Sequence, residues 1–139
     1  MTRDVDLTGK SSAALSLKGY YHIEQNYDFL YTLVSTDGGA TWKPVYGTVN
    51  GAAIPRDASD QPALTGTLDG YADLVHPLDA CAGQKIKLRF RCTTGTGVAK
   101  KGFTADDLAI TADGSAVFIR LLRQSKNGSV LTVAVRPSR

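Results

Sequence analysis

From Lys85 to Cys92 the chain alternates without a break: Ile86, Leu88, Phe90 and Cys92 are apolar, and Lys85, Lys87, Arg89 and Arg91 are basic. A period of two places the two sets on opposite faces of an extended strand. A helix would scatter the four cations around its surface and bury some of them. The segment is therefore a strand with a basic outer face, and its apolar face needs a second layer to cover it. Ala13, Leu15 and Leu17 repeat the pattern against Ala14, Ser16 and Lys18. Phe29-Leu-Tyr-Thr-Leu-Val34 is rich in aromatic and β-branched residues and reads as a more deeply buried strand. Leu108-Ala-Ile-Thr111 is a further strand, closed by Asp113-Gly114. Val117–Leu122 and Val130–Val135 flank Lys126-Asn-Gly-Ser129, and Asn-Gly between alternating apolar runs marks a hairpin.

No helical stripe runs for three turns. Asp79-Ala-Cys-Ala-Gly83 has room for one helical turn ended by its glycine. Seven or eight short strands with Gly and Asp turns predict an antiparallel β-sandwich of jelly-roll type. The 139 residues are the size of one domain, 1–139, ending in a basic hairpin over 119–139. Gly47 to Gly70, with Pro55 and Pro62, reads as a long surface excursion. No apolar run reaches the roughly 18 residues that a membrane-spanning helix needs.

The net charge of +3 comes from the end of the chain. Residues 119–139 carry five basic residues and no acid, against 11 basic and 13 acidic residues in 1–118. A nearly neutral body argues against a nucleic-acid surface, which needs clustered phosphate partners. The opening Met-Thr-Arg-Asp-Val-Asp lacks the apolar stretch of a secretory leader. Cys81 and Cys92 match no zinc spacing. An extended Lys85–Cys92 segment would hold the two thiols beyond disulfide reach, so both are expected free, with Cys92 buried and inert.

Catalytic constellations are absent. There is no His-Glu-x-x-His pair and no Gly-x-Ser-x-Gly elbow. His22 and His76 each read as surface or strand-end histidines. The remaining reactive groups are carboxylates. Glu24, Asp28, Asp106 and Asp107 are candidate ligands for one structural calcium, a hard cation that takes oxygen donors. On a regular strand the adjacent Asp106 and Asp107 point to opposite faces. The bland alternative is that these acids cap turns. Ser35-Thr-Asp-Gly-Gly-Ala-Thr-Trp42 fits the Asp-box pattern S-x-D-x-G-x-T-W, a turn in which Asp37 accepts N–H groups and Trp42 packs back. A single copy in a chain this short cannot build a propeller. The six tyrosines and Trp42 could form a sugar platform, although most are expected to fill the core or cover its edges.

Several stretches read together carry a resemblance. Val5-Asp-Leu-Thr-Gly-Lys10, Tyr20-Tyr-His-Ile-Glu-Gln-Asn-Tyr-Asp28, Val34–Trp42, Leu78–Arg91 and Gly102-Phe-Thr-Ala-Asp-Asp-Leu-Ala-Ile110 occur in this order. Over residues 5–118 they resemble the accessory β-sandwich of immune inhibitor A-like (M6) metallopeptidases, a relative of MAM and carbohydrate-binding jelly rolls. The resemblance implies a non-catalytic module of a secreted or cell-surface bacterial protease whose zinc-binding catalytic domain lies elsewhere. It implies the parent catalytic domain as a partner, with a glycan as the alternative. It also implies a cation near Asp106 or Asp107, with Glu24 or Asp28 as possible co-ligands.

Overall fold

The computed structural model describes residues 3–93, 102–124 and 131–137. Its strands are β1 (Arg3–Asp6), β2 (Ala13–His22), β3 (Phe29–Ser35), β4 (Lys43–Pro44), β5 (Thr48–Val49), β6 (Ala52–Ala53), β7 (Ala72–Pro77), β8 (Lys85–Thr93), β9 (Gly102–Ala112), β10 (Ser115–Gln124) and β11 (Leu131–Pro137). They form two antiparallel sheets, one ordered β1-β8-β3-β4 and the other β11-β10-β9-β2-β7-β5-β6. The chain passes repeatedly from one sheet to the other, as expected of a β-sandwich. The one helical turn expected at Asp79 is a 3-10 turn, Asp79–Cys81. Gly83 follows it at φ +82°, a value glycine adopts without strain.

Alternation along the strands decides what lies between the sheets. β8 points Ile86, Leu88, Phe90 and Cys92 inward, all buried. They meet Leu15 and Leu17 of β2, Leu74 of β7, and Phe103 and Ile110 of β9 in one apolar cluster. The rings of Phe90 and Phe103 approach to 5.5 Å between centroids across the two sheets. Asp113 (φ +50°) and Gly114 (φ +79°) make the two-residue turn between β9 and β10, with Ala112 paired to Ser115. The carboxylate of Asp113 also accepts the N–H groups of Ser11 (3.0 Å) and Ser12 (2.9 Å), tying the β9–β10 turn to the entry of β2. β10 and β11 pair in antiparallel register from Val117↔Pro137 to Gln124↔Leu131. The Asn127-Gly128 turn predicted between them lies outside the described residues.

Three sequence readings are corrected. First, residues 47–70 are not wholly a surface excursion. β5 and β6 extend the larger sheet beyond β7, and Ile54, Ala63 and Leu64 are buried. Leu64 exchanges backbone bonds with Leu30 of β3 and shields that strand's edge. Second, β7 is a regular strand with Ala72, Leu74 and His76 facing inward, so His76 is a core residue and not a strand-end one.

Third, Asp106 and Asp107 do not point to opposite faces. Ser16 pairs with Ala109 while Lys18 pairs with Asp106, so two steps on β2 oppose three on β9. The extra residue makes a β-bulge, with Asp107 at φ +50° and its N–H bonded to the Asp106 carboxylate at 2.9 Å. Both aspartates are exposed. The bulge shifts the parity of the strand, so that Phe103, Ala105, Leu108, Ile110 and Ala112 all face the core. Without it, Leu108 and Ile110 would face solvent.

Asp107 is therefore held where the left-handed region costs an ordinary residue about 1–2 kcal/mol and Asp or Gly much less. Asp107→Gly should leave stability within about 0.5 kcal/mol of the parent or raise it. Asp107→Val should lower it by about 1–3 kcal/mol, because a β-branched side chain opposes positive φ. Urea unfolding of the two variants checks this, and equal midpoints would place the strain elsewhere.

Candidate functional site

The outer face of the smaller sheet gathers most of the chain's unusual side chains. Register sets Tyr31 of β3 opposite Arg91 of β8, Leu33 opposite Arg89, and Ser35 opposite Lys87. The basic row read from the β8 alternation thus runs beside an aromatic and apolar row. The Asp-box turn leaves the end of β3 and folds back over this face. Ser35 Oγ accepts the Gly39 N–H (2.9 Å) and donates to Asp37 Oδ1 (2.7 Å), which also accepts the Thr41 N–H (2.9 Å). The Thr41 hydroxyl closes the turn on Asp37 Oδ2. Gly38 (φ +76°) and Gly39 (φ +97°) supply the left-handed steps that bring these groups together. Hydrogen bonds from Thr41, side chain first and then backbone, with a further one from Ser35, hold the Asp37 carboxyl well below the usual carboxylate range.

Trp42 packs back as predicted. Its Nε1–H donates to the Gly39 carbonyl at 3.2 Å, and the Arg89 guanidinium stacks 4.1 Å from the ring centroid. It is half-buried, so it finishes the turn without entering the core. Beside it, Tyr31 donates its hydroxyl to Asp57 Oδ2 at 2.6 Å. Burial first, and the Asp57 bond second, push the Tyr31 phenol up to about 12. Asp57 Oδ1 accepts the N–H groups of Ser59 (2.8 Å) and Gln61 (2.9 Å) and so shapes the 57–61 turn. A cavity of about 670 Å³ lies between that turn, Trp42 and Arg91. Asp57, Ser59 and Gln61 escaped the sequence reading because they lie in the stretch taken as an excursion. The Lys85–Cys92 alternation did place the cations on this face.

The four carboxylates predicted to hold calcium fall in two places. Asp28 is buried in the turn before β3, where it accepts the Glu24 N–H at 3.0 Å while its own N–H bonds the Glu24 carbonyl at 2.9 Å. Asp106 and Asp107 stand on the outer face of the larger sheet, where Asp106 lies opposite Lys18. Lys18 is ion-paired with Asp73 across β2 and β7. No three His, Cys, Asp or Glu side chains converge on a common point among the described residues. The structure thus places Asp28 beside Glu24 at one turn and Asp106 with Asp107 on the outer face of the larger sheet.

The histidine and the thiols are built into the fold. His76 is 1% exposed. Its Nδ1 lies 3.0 Å from the Tyr46 carbonyl and its Nε2 3.1 Å from Thr32 Oγ1. A carbonyl only accepts, so Nδ1 carries the proton and Nε2 accepts from the threonine hydroxyl. His76 stands on the larger sheet and Thr32 on the smaller, so this bond joins the two layers. Gly47 lies so close that a Cβ there would come within 2.5 Å of Nδ1. Burial pushes the His76 pKa down. Cys81 and Cys92 are free and Cys92 is buried, as predicted, and Cys81 is buried as well. Burial pushes the Cys81 thiol up, and burial with the nearby Asp28 charge takes Cys92 up to about 11. Of the tyrosines, Tyr21 alone enters the core, while Tyr27, Tyr46 and Tyr71 are exposed.

The sequence matches the family described as "Immune inhibitor A-like, MAM domain" over residues 1–125. It is 32% identical over 119 residues to "Pre-pro-metalloprotease PrtV" of Vibrio cholerae serotype O1 (strain ATCC 39315 / El Tor Inaba N16961), an overlap covering 86% of this chain and 12% of that protein. It is 30% identical over 114 residues to "Immune inhibitor A" of Bacillus thuringiensis subsp. alesti, covering 81% of this chain and 15% of that protein. The chain thus spans a small part of the length of either relative.

The neutral buried histidine gives stability a pH dependence of definite sign. Its folded pKa lies below the unfolded value of about 6.5, so in the window between them the unfolded state binds the extra proton. Stability is fully present above about pH 6.5 and falls as pH drops toward the folded pKa, with a limiting slope of about 1.4 kcal/mol per pH unit. Urea midpoints at pH 7, 6 and 5 should show this fall. His76→Gln should be less stable at pH 7 and lose the slope. A slope retained in the variant would assign the titration to another group.

Proposed function

The chain belongs to the immune inhibitor A-like MAM domain family, and on that premise we propose that it is a non-catalytic accessory module of a secreted metalloprotease. The observation that carries the reading is what has become of its reactive groups. His76 is locked between Thr32 and Tyr46, the Cys81 and Cys92 thiols are buried and held protonated, and Asp37 and Asp57 spend their oxygens on turns. Nucleophilic or general-base catalysis needs a nucleophile within reach of an activating base, and these groups are used to hold backbone and sheets. The module's part is then to support, position or stabilise the catalytic domain of the parent enzyme.

Export agrees with the thiol chemistry. A free cysteine is vulnerable in an oxidising compartment only when its thiolate forms and oxidants reach it. Burial of both cysteines and their raised pKa values oppose each condition. Two unpaired cysteines are therefore no obstacle to life outside the cell.

The test compares the parent protease with and without this module. Removing it should lower the yield of folded, secreted enzyme and its melting temperature. The kcat/KM on a short peptide should stay within about threefold, because no group that meets the reacting atoms is lost. The isolated chain should hydrolyse neither casein nor peptides, with or without added zinc. Hydrolysis by the isolated chain, or a kcat loss above about a hundredfold on a short peptide, would overturn the assignment.

A further inference from the structure

We propose that the cavity on the outer face of the smaller sheet binds an acidic sugar, a pyranose ring bearing a carboxylate. The cavity, of about 670 Å³, is in the size range of small-molecule sites and has an apolar wall with a few converging polar groups. Trp42, Tyr31, Leu33 and Pro44 supply the apolar lining. The Trp42 indole is pinned by the Nε1–H bond to Gly39 and backed by Arg89, which does not itself line the cavity. A flat aromatic surface held in one orientation suits the C–H face of a sugar ring and costs little entropy to use.

Charge selects the kind of sugar. Asp57 is the cavity's one carboxylate, and its oxygens already accept from the Tyr31 hydroxyl and from the N–H groups of Ser59 and Gln61. Lys43 and Arg91 also line the cavity, and neither makes an ion pair among the described residues. Asp57 keeps its negative charge, but its oxygens are engaged, so the charged groups left to grip a ligand are the two cations, and the lining as a whole is net positive and favours an anion. The Arg91 guanidinium can grip a carboxylate with two parallel hydrogen bonds. An acidic peptide would satisfy the cations but offers no ring face to the indole. A pyranose carboxylate satisfies both. The site is independent of the accessory role proposed above, which stands or falls on other measurements.

Trp42 is the single tryptophan of the chain, so its emission reports on the cavity without a label. Four probes are titrated into the 139-residue chain: trigalacturonate and sialyllactose as acidic sugars, maltotriose as a neutral sugar, and tetraglutamate as an acidic peptide. At least one acidic sugar should change the emission saturably, more weakly as salt is raised. Maltotriose and tetraglutamate should bind about tenfold more weakly or not at all. Which acidic sugar responds separates a uronate from a sialate. Arg91→Gln and Lys43→Gln should each weaken binding about tenfold while keeping the parent's urea midpoint. Equal binding of maltotriose would overturn the proposal, and equal or tighter binding of tetraglutamate would assign the surface to an acidic peptide. Silence from both acidic sugars up to their solubility would also overturn it, as would variants that fold and bind like the parent.

Discussion

The inward row of β8, Ile86, Leu88 and Phe90, has to be covered by the inward rows of β2 and β9, and the rest of the molecule depends on that burial. Each such side chain contributes roughly 1.5–3 kcal/mol when it leaves water, whereas the exposed Lys18–Asp73 ion pair is screened by solvent and contributes far less. Burial therefore outranks local regularity where the two conflict. The bulge at Asp107 is the visible result. The strand accepts an extra residue at positive φ so that Leu108 and Ile110 stay in the core. It also turns Asp106 and Asp107 out together, which separates them from any interior carboxylate.

Among the described residues the buried polar side chains are Asp28, Thr32, Ser35 and His76, and the bond from His76 to Thr32 crosses from one sheet to the other. An unpaired imidazole there would cost about 1–3 kcal/mol, but both ring nitrogens are satisfied. A hydrogen bond between layers also fixes how they lie against one another, which apolar contacts specify less sharply. The outer face of the smaller sheet inherits that rigidity. The Asp-box turn, the Trp42–Arg89 stack and the Tyr31–Asp57 bond rest on β3 and β8, two strands whose inner faces are locked in the core. A surface held this way loses little freedom when it binds, which suits both an accessory domain and a sugar site.

Much of this was legible before the fold was known. The alternation in Lys85–Cys92 identified a strand, its buried face and its basic face, and with them the fate of Cys92. The Asp-box residues stated their own geometry, since the spacing of Ser35, Asp37, Gly39 and Thr41 is a list of local hydrogen bonds. The Asp79–Gly83 turn was readable for the same reason. β7 escaped because Tyr71-Ala-Asp-Leu-Val-His-Pro77 is short and ends in His-Pro, a pairing that looks like a loop. β5 and β6 escaped because two-residue strands carry no period at all. The four carboxylates were read as one set, yet Glu24 and Asp28 share a turn near β3 while Asp106 and Asp107 stand on the far face of the other sheet.

Properties confined to a few neighbouring residues were thus settled by the sequence alone: the strand periods, the Asp-box turn, the positive outer face of β8 and the all-β class. Each rests on backbone geometry and side-chain polarity within one segment, which need no partner to be expressed. Tertiary structure decided what depends on which segments meet. It made His76 an interlayer bond, placed Asp57 and Gln61 beside Trp42 and Arg91 to form a cavity, and forced the bulge at Asp107. Those outcomes follow from the competition among distant segments to bury apolar surface and satisfy the polar groups caught with it. No single segment carries the information needed to resolve that competition.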